Sequence, residues 1–117
     1  MKGILISISL LLLSATTPLA AEDFEGYLID TMCSAKLIQA GADAGQYHTK
    51  DCALSPNCKA SGYGLVTADG TFLKFDEESN GMAVKFLESS PRTEGLKVTV
   101  NGEMNGEALV VKAIQLL

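Results

Sequence analysis

The sequence predicts a small, mainly β domain of five strands, with one helix between the third and fourth strands and a long loop after the first. Three observations predict this class: apolar residues alternate with polar ones in several short segments, turn-forming dipeptides containing Gly separate such segments, and one stretch has helical spacing. A chain of 117 residues can bury one modest core and has no length to spare for a second domain.

The first 21 residues resemble a secretory signal peptide. Lys2 supplies the charged start, residues 4–13 form an apolar run, and small residues precede Glu22. The run is shorter than the roughly 20 apolar residues that span a bilayer, which disfavours the alternative of an uncleaved membrane anchor. We therefore expect cleavage after Ala21, a single domain over residues 22–117, no stable membrane insertion after cleavage, and a periplasmic or secreted protein.

The first strand is predicted over residues 24–30, with Gly26 at a bulge or a close backbone approach. Residues 31–61, which we call the Cys/His segment, are rich in Ala, Gly, Asp and Lys and show no sustained period. They predict a long loop that carries one or two short helices. A loop of about thirty residues in so small a domain is uncommon, and it is usually functional or tied down internally.

The second and third strands follow the Cys/His segment. They are joined at Asp69 and Gly70, a dipeptide that tolerates positive φ and predicts a tight hairpin turn. Residues 77–92 then predict an amphipathic helix of about three turns, capped at Ser79 or Asn80 and stopped by Pro91. The residues on its predicted buried face are Met82, Ala83, Phe86 and Leu87.

The fourth and fifth strands are predicted from two alternating limbs with a turn around Asn105 and Gly106. The apolar residues that alternate are Leu96, Val98 and Val100 in the first limb and Leu109 and Val111 in the second. Together the elements follow the order of the OB-fold, a small, partly open Greek-key barrel. A split sheet with one covering helix is the alternative.

Aromatic residues on the predicted strands are candidates for a ligand face. In an OB-like barrel, rings on the open face can stack against a ligand. The candidates are Tyr27, Tyr63 and Phe72. The alternative is that these rings pack in or over the hydrophobic core.

All three cysteines and the only histidine lie in the Cys/His segment, as Cys33, His48, Cys52 and Cys58. In an oxidising compartment, Cys33 is expected to pair with Cys52 or Cys58, and such a disulfide would contribute roughly 3 kcal/mol. The alternative is a metal site. His48 and Cys52 are four residues apart and share a face if the segment between them is helical, and three thiolates with one imidazole bind zinc or cuprous copper.

Other chemistry is less well supported by the sequence. The expected function is a non-enzymatic binding module. A thiol-disulfide redox protein is the alternative, and it is less favoured because no CxxC motif occurs. Asp30, Asp43 and Asp51 are predicted to be solvated loop charges. The formal net charge of −5, with scattered basic residues, disfavours nucleic acid and anionic membrane surfaces, so an unidentified protein or small ligand is the expected partner.

The succession "LIDTMC", "HTKDC", Cys58, "SGYGLVTADGTFLKFD" and "LKVTVNG" resembles a group of small secreted bacterial proteins. That group has an OB-like strand order and a Cys/His-containing loop, and the resemblance implies no particular activity. In fold the chain is also similar to periplasmic OB-type proteins, including haem chaperones of cytochrome maturation. Those proteins attach haem through a histidine near the carboxyl end, where this sequence has none, so haem delivery is not expected.

Overall fold

The structure is a computed structural model that describes Gly3 and residues 21–117. The predicted signal peptide, apart from Gly3 and Ala21, lies outside the described residues. Within the described part of the chain, every helix is too short or too polar to cross a bilayer.

Residues 21–117 contain an open five-stranded antiparallel sheet in the order β3-β2-β1-β4-β5, which confirms the predicted number of strands. The strands are β1 (Glu22–Asp30), β2 (Tyr63–Val66), β3 (Phe72–Lys74), β4 (Lys97–Asn105) and β5 (Ala108–Leu116). The central strand β1 pairs with β2 along its second half and with β4 along its first half. The end of β1 therefore leads the chain directly out of the sheet into the Cys/His segment.

The described residues also form four α-helices and one 3-10 helix. They are α1 (Thr31–Ala40), the 3-10 helix (Ala42–Tyr47), α2 (Lys50–Ala53), α3 (Pro56–Ser61) and α4 (Glu77–Ser89). About 38% of the described residues are in strands and about 40% are in helices, so the prediction of a mainly β domain is wrong. The Cys/His segment is the reason. The segment is predicted as a loop with one or two short helices, but it forms three α-helices and the 3-10 helix. Two of them begin at side-chain caps, and all are too short to show a hydrophobic period.

Glycine allows two close or tight backbone arrangements in the sheet. A Cβ atom on Gly26 would lie 2.5 Å from the carbonyl oxygen of Val66, which confirms the predicted close approach. In the hairpin between β2 and β3, the Gly70 amide donates to the Thr67 carbonyl over 3.0 Å and Gly70 has a φ of 82°. The predicted turn at Asp69 and Gly70 is therefore confirmed.

The turn between β4 and β5 lies one residue later than the sequence predicts. Asn105 still pairs with Ala108 at the end of the ladder, so the two turn residues are Gly106 and Glu107. Gly106 has a φ of 63°, a conformation that glycine adopts without the steric penalty of a Cβ atom.

The hydrophobic core lies between the sheet and α4. The predicted alternation in β4 is confirmed, since Leu96, Val98 and Val100 are all buried. The other large buried apolar residues of the cluster are Leu28, Tyr63, Leu65, Phe75, Leu87, Leu109 and Val111. Burial of this apolar surface is the main favourable contribution to the stability of the sheet.

Helix α4 begins earlier than predicted, and its buried face matches the predicted one only in part. Its cap is Asp76, which accepts a hydrogen bond from the Ser79 amide, so the predicted cap at Ser79 or Asn80 is wrong. The buried line is Ser79, Ala83 and Leu87, at a spacing of four. The Ser79 hydroxyl accepts from the Val111 amide over 2.8 Å, which satisfies a buried polar group.

Two residues of the predicted α4 face are less buried than expected. Met82 and Phe86 are half-buried at the margin of the core, whereas Ala83 and Leu87 are buried as predicted. The helix ends at Ser89, so Pro91 lies just beyond it, as the sequence predicts.

The two edges of the sheet approach each other at one point. Phe75, just after β3, forms an isolated parallel bridge with Leu109 of β5, and the Asp76 amide donates to the Leu109 carbonyl over 3.2 Å. The contact brings the start of α4 against β5.

Backbone hydrogen bonds hold the Cys/His segment against the carboxyl end of β1 and the start of β4. The Thr31 amide donates to the Gly62 carbonyl over 2.8 Å, which closes the two ends of the segment on each other. The Gly95 amide donates to the His48 carbonyl over 3.0 Å, just ahead of β4. These contacts fix the middle of the segment beside the strand ends.

Candidate metal centre

Each cysteine is the third residue of a short helix. Cys33 has this position in α1, Cys52 in α2 and Cys58 in α3. The first two helices are capped by side chains: Asp30 Oδ2 accepts from the Cys33 amide over 3.0 Å, and Thr49 Oγ1 accepts from the Cys52 amide over 3.1 Å. The same local geometry therefore places a cysteine in the first turn of each helix.

The three helices direct their sulfur atoms to one place. The Sγ atoms of Cys33, Cys52 and Cys58 all lie within 4.8 Å of one another. All three cysteines, which belong to the described range, are free thiols, so the predicted disulfide from Cys33 to Cys52 or Cys58 is not formed. A disulfide would join two sulfurs and set the third aside, whereas three separate short helices here bring all three together.

Exposure differs across the sulfur cluster. Cys58 is 6% exposed, Cys33 is half-buried and Cys52 is exposed. The exposed side faces a mostly apolar cleft of about 430 Å³. The residues that line it are Cys33, Lys36, Leu37, Ala40, Ala44, Tyr47, His48 and Cys52. An ion or ligand would therefore reach the sulfurs from the cleft.

His48 lies next to Asp30 and Cys33. Its Nε2 atom is 2.8 Å from Asp30 Oδ1, and the two side chains are 8% and 0% exposed respectively. A ring nitrogen of His48, a carboxylate oxygen of Asp30 and the sulfur of Cys33 lie within 4.8 Å of one another. The four predicted ligands therefore fall into two overlapping groups that share Cys33, and His48 is grouped with Asp30 rather than with Cys52 and Cys58.

Two expectations about this region are wrong. Asp30 was predicted to be a solvated loop charge, but it is fully buried at the end of β1, because both of its oxygens accept hydrogen bonds there. Asp43 and Asp51 are exposed, as predicted. His48 was expected to share a helical face with Cys52, but it has an extended backbone and precedes α2.

The Asp30 carboxyl is held in its charged form. Burial on its own raises the pKa of this group, but hydrogen bonds from His48 and Cys33 outweigh burial and hold the pKa below its ordinary value of 3.8. Asp30 therefore carries a negative charge at neutral pH, next to the thiols.

Two of the thiols are held in their protonated form. Burial, followed by the negative charge of Asp30, raises the pKa of Cys33 to about 12. Burial also raises the pKa of Cys52, and its neighbours Cys58 and Asp30 add to this. In the absence of a cation these thiols are therefore protonated at neutral pH, and they are weak nucleophiles.

The three aromatic ligand-face candidates have packing roles in the structure. Tyr63 is fully buried and its hydroxyl donates to the Ala53 carbonyl over 2.7 Å, so its ring does not lie on an open face. The Tyr27 and Phe72 rings are half-buried and cover glycines: a Cβ atom on Gly45 would lie 2.4 Å from the Tyr27 ring, and one on Gly64 would lie 2.6 Å from the Phe72 ring.

Asp30 is the site residue that the sequence interpretation missed. A signal for it exists in the sequence, since a helix-capping residue precedes each cysteine by three positions, in "DTMC", "TKDC" and "SPNC".

Comparison with protein-family models, with curated proteins and with solved structures finds no match for this chain.

Proposed function

We propose that the chain is a non-enzymatic binding module that holds one transition-metal ion, zinc or cuprous copper, through Cys33, Cys52 and Cys58. The observation that carries this proposal is the convergence of three sulfurs, from three helices, within 4.8 Å of one another. Two thiolates that each lie about 2.3 Å from one zinc ion are themselves about 4 Å apart, so only a small adjustment is needed. Thiolate is a ligand that both ions favour.

The charge balance of the site also supports a bound cation. Three sulfurs and the buried Asp30 carboxylate place potential negative charge in one small volume, and after burial this charge is the next cause of the raised pKa of the Cys33 thiol. A cation would displace the thiol protons and compensate the charge. Metal affinity is therefore expected to rise with pH.

A thiol-disulfide redox protein remains the alternative function. Such a protein needs a thiolate nucleophile, which is usually provided by a lowered pKa. The pKa values of Cys33 and Cys52 are both shifted in the opposite direction. This favours a binding role over a redox role.

We also propose a fold type, a location and a kind of partner. The sheet order and the parallel contact between Phe75 and Leu109 support an OB-like, partly open barrel, with α4 between the third and fourth strands. The pattern of residues 1–21 supports export to the periplasm or beyond. The acidic balance supports a partner other than nucleic acid, and the cleft beside the thiols is where a protein or small ligand would reach the ion.

Metal content tests the proposal directly. Protein prepared from the exported fraction without chelator or reductant is expected to carry about one zinc or copper ion per chain, measured by mass spectrometry of the elements. Cys52→Ser and Cys58→Ser should each lose most of the ion. Met32→Leu is the control, because it removes an exposed sulfur next to Cys33 and leaves the three thiols unchanged.

Two results would contradict the proposal. One is a protein that neither carries an ion nor binds zinc or cuprous copper on titration. The other is a metal content that stays the same when the thiols are replaced.

A further inference from the structure

Asp30 is a buried carboxylate whose two oxygens are both engaged. Oδ2 accepts from the Cys33 amide over 3.0 Å, and Oδ1 lies 2.8 Å from His48 Nε2. A cation bound at Oδ1 would displace His48 and leave its N–H group without this acceptor in a side chain that is only 8% exposed. The carboxylate is therefore better suited to orient His48 than to bind an ion itself.

The hydrogen bond to Asp30 also selects the tautomer of His48. A carboxylate oxygen 2.8 Å from Nε2 accepts a hydrogen bond, so Nε2 carries the proton. In the neutral imidazole, the lone pair is then on Nδ1, which becomes the nitrogen that can bind a cation. Metal-binding histidines commonly donate their other N–H to a carboxylate in this way.

His48 stands beside the sulfur cluster. Cys33 is common to both groups of potential ligands, and His48 lines the same cleft as Cys33 and Cys52. A triangle of three thiolates satisfies a soft cuprous ion, whereas zinc in structural sites takes four tetrahedral ligands. His48 is grouped with Cys33 but not with Cys52 and Cys58, so a shift of its imidazole toward those two sulfurs would supply the fourth ligand.

We propose that Asp30 is a positioning residue that holds His48 so that Nδ1 completes a tetrahedral site of three sulfurs and one nitrogen, and that the ion bound there is zinc. This inference rests on the proposed function, because it adds a ligand and a selectivity to the same site. It gives Asp30 a second role, in addition to its role as the cap of α1.

The substitution Asp30→Asn separates the two roles of this residue. An Asn side chain is as good a helix cap as Asp, so α1 is expected to remain. Its one carbonyl oxygen can occupy only one of the two oxygen positions of Asp30, so its NH₂ group faces either the Cys33 amide or His48. If the oxygen keeps the cap, the NH₂ group donates to Nε2 and moves the imidazole proton to Nδ1, which removes the fourth ligand.

Zinc affinity is the first measurement. Competition with a chromophoric chelator should show zinc binding weakened by about 10- to 100-fold in Asp30→Asn, the range typical of residues that orient a metal ligand. Asp76→Asn is the matched control, because Asp76 caps α4 with a hydrogen bond of the same 3.0 Å length to the Ser79 amide. It should leave zinc affinity unchanged. Cuprous affinity should fall less than zinc affinity in both Asp30→Asn and His48→Ala.

Nitrogen-15 NMR of the zinc-loaded full chain is the second measurement, and a purely structural role of Asp30 would not produce its expected result. The His48 signals should show Nδ1 bound to the ion and Nε2 protonated. Coordination through Nε2, or an imidazole that does not contact the ion, would overturn the inference, as would equal zinc affinity in Asp30→Asn and the unaltered chain. A chain that binds no zinc at all would overturn the proposed function as well, which distinguishes the two failures.

Discussion

The sheet with α4 and the Cys/His segment are stabilised in different ways. The sheet and α4 bury a continuous set of large apolar side chains, including Leu28, Phe75 and Leu87. In residues 31–61 the buried residues are Ser34, Gly45, Ala53 and Cys58, all of them small. The segment thus has little apolar surface to bury and relies on caps and hydrogen bonds. The comparison shows why an ion would stabilise one region more than the other.

The two regions meet partly through polar contacts. The Tyr63 hydroxyl extends from β2 to the Ala53 carbonyl of α2, and the Lys50 ammonium donates to the Ser90 carbonyl over 2.9 Å just after α4. Such bonds are directional and contribute modestly, by about 1 kcal/mol each. They can therefore place the segment accurately without making it as stable as the sheet.

The largest expected effect is in the sheet core. Phe75 is 2% exposed, and Phe75→Ala should lower the free energy of unfolding by about 3–5 kcal/mol, because it removes a large buried ring and leaves a cavity. Urea unfolding measures this effect. Phe72→Ala, at a half-buried ring on the same strand region, should have a smaller effect. A loss below about 1 kcal/mol for Phe75→Ala would show that this core is not the main source of stability.

The next effect concerns the connection between the two regions. Tyr63→Phe removes the hydroxyl that donates to the Ala53 carbonyl and should destabilise the protein by about 1–3 kcal/mol. Hydrogen exchange should also become faster in α2. Tyr27→Phe is the control, because that ring is half-buried and covers Gly45. If both variants behave alike, the hydroxyl does not hold the segment.

A smaller effect is expected from the cap of α2. Thr49→Ala removes the acceptor of the Cys52 amide and should reduce stability by about 1 kcal/mol. Thr93→Ala, at an exposed residue whose backbone carbonyl accepts from the Lys50 amide, keeps that backbone bond and is the control. The reduction should be larger in metal-free protein. Thermal unfolding of both variants, with and without zinc, measures the difference.

The smallest expected effect is a loss of stability in acid, when Asp30 is protonated. It is not seen at neutral pH. Because hydrogen bonds hold the pKa of Asp30 below 3.8, the stability they contribute is fully present above that value. It is lost as the pH falls through the lowered pKa and the carboxylate is protonated. Urea midpoints of metal-free protein between pH 7 and acid should show this loss, and Asp30→Asn should show less of it. Parallel pH profiles for the two proteins would contradict the assignment.

The strands and turns could be predicted from the sequence because they depend on local patterns. The alternation of Leu96, Val98 and Val100 reports directly which side faces the core, and Gly70 and Gly106 mark backbone positions with positive φ. The face of α4 was predicted less well. Ser79 was interpreted as a cap because it is polar, but a distant partner, the Val111 amide, allows it to be buried.

The candidate site was only partly predictable for a similar reason. The sequence shows that Cys33, Cys52 and Cys58 occupy one segment, but their arrangement depends on how three short helices pack. These helices are too short to show a hydrophobic period, so only their caps indicate them. The burial of Asp30 depends on His48, eighteen residues away in the chain, and no local pattern contains that contact.

Hydrogen exchange with and without the ion tests most directly the claim that a metal stabilises the Cys/His segment. Removing zinc with a chelator should speed amide exchange in residues 31–61 by at least about tenfold, and leave the protected amides of β1, β2 and β4 almost unchanged. Cys52→Ser should show the fast pattern whether or not zinc is added. Exchange that is the same with and without the ion, or that rises equally in the sheet and the segment, would contradict the account.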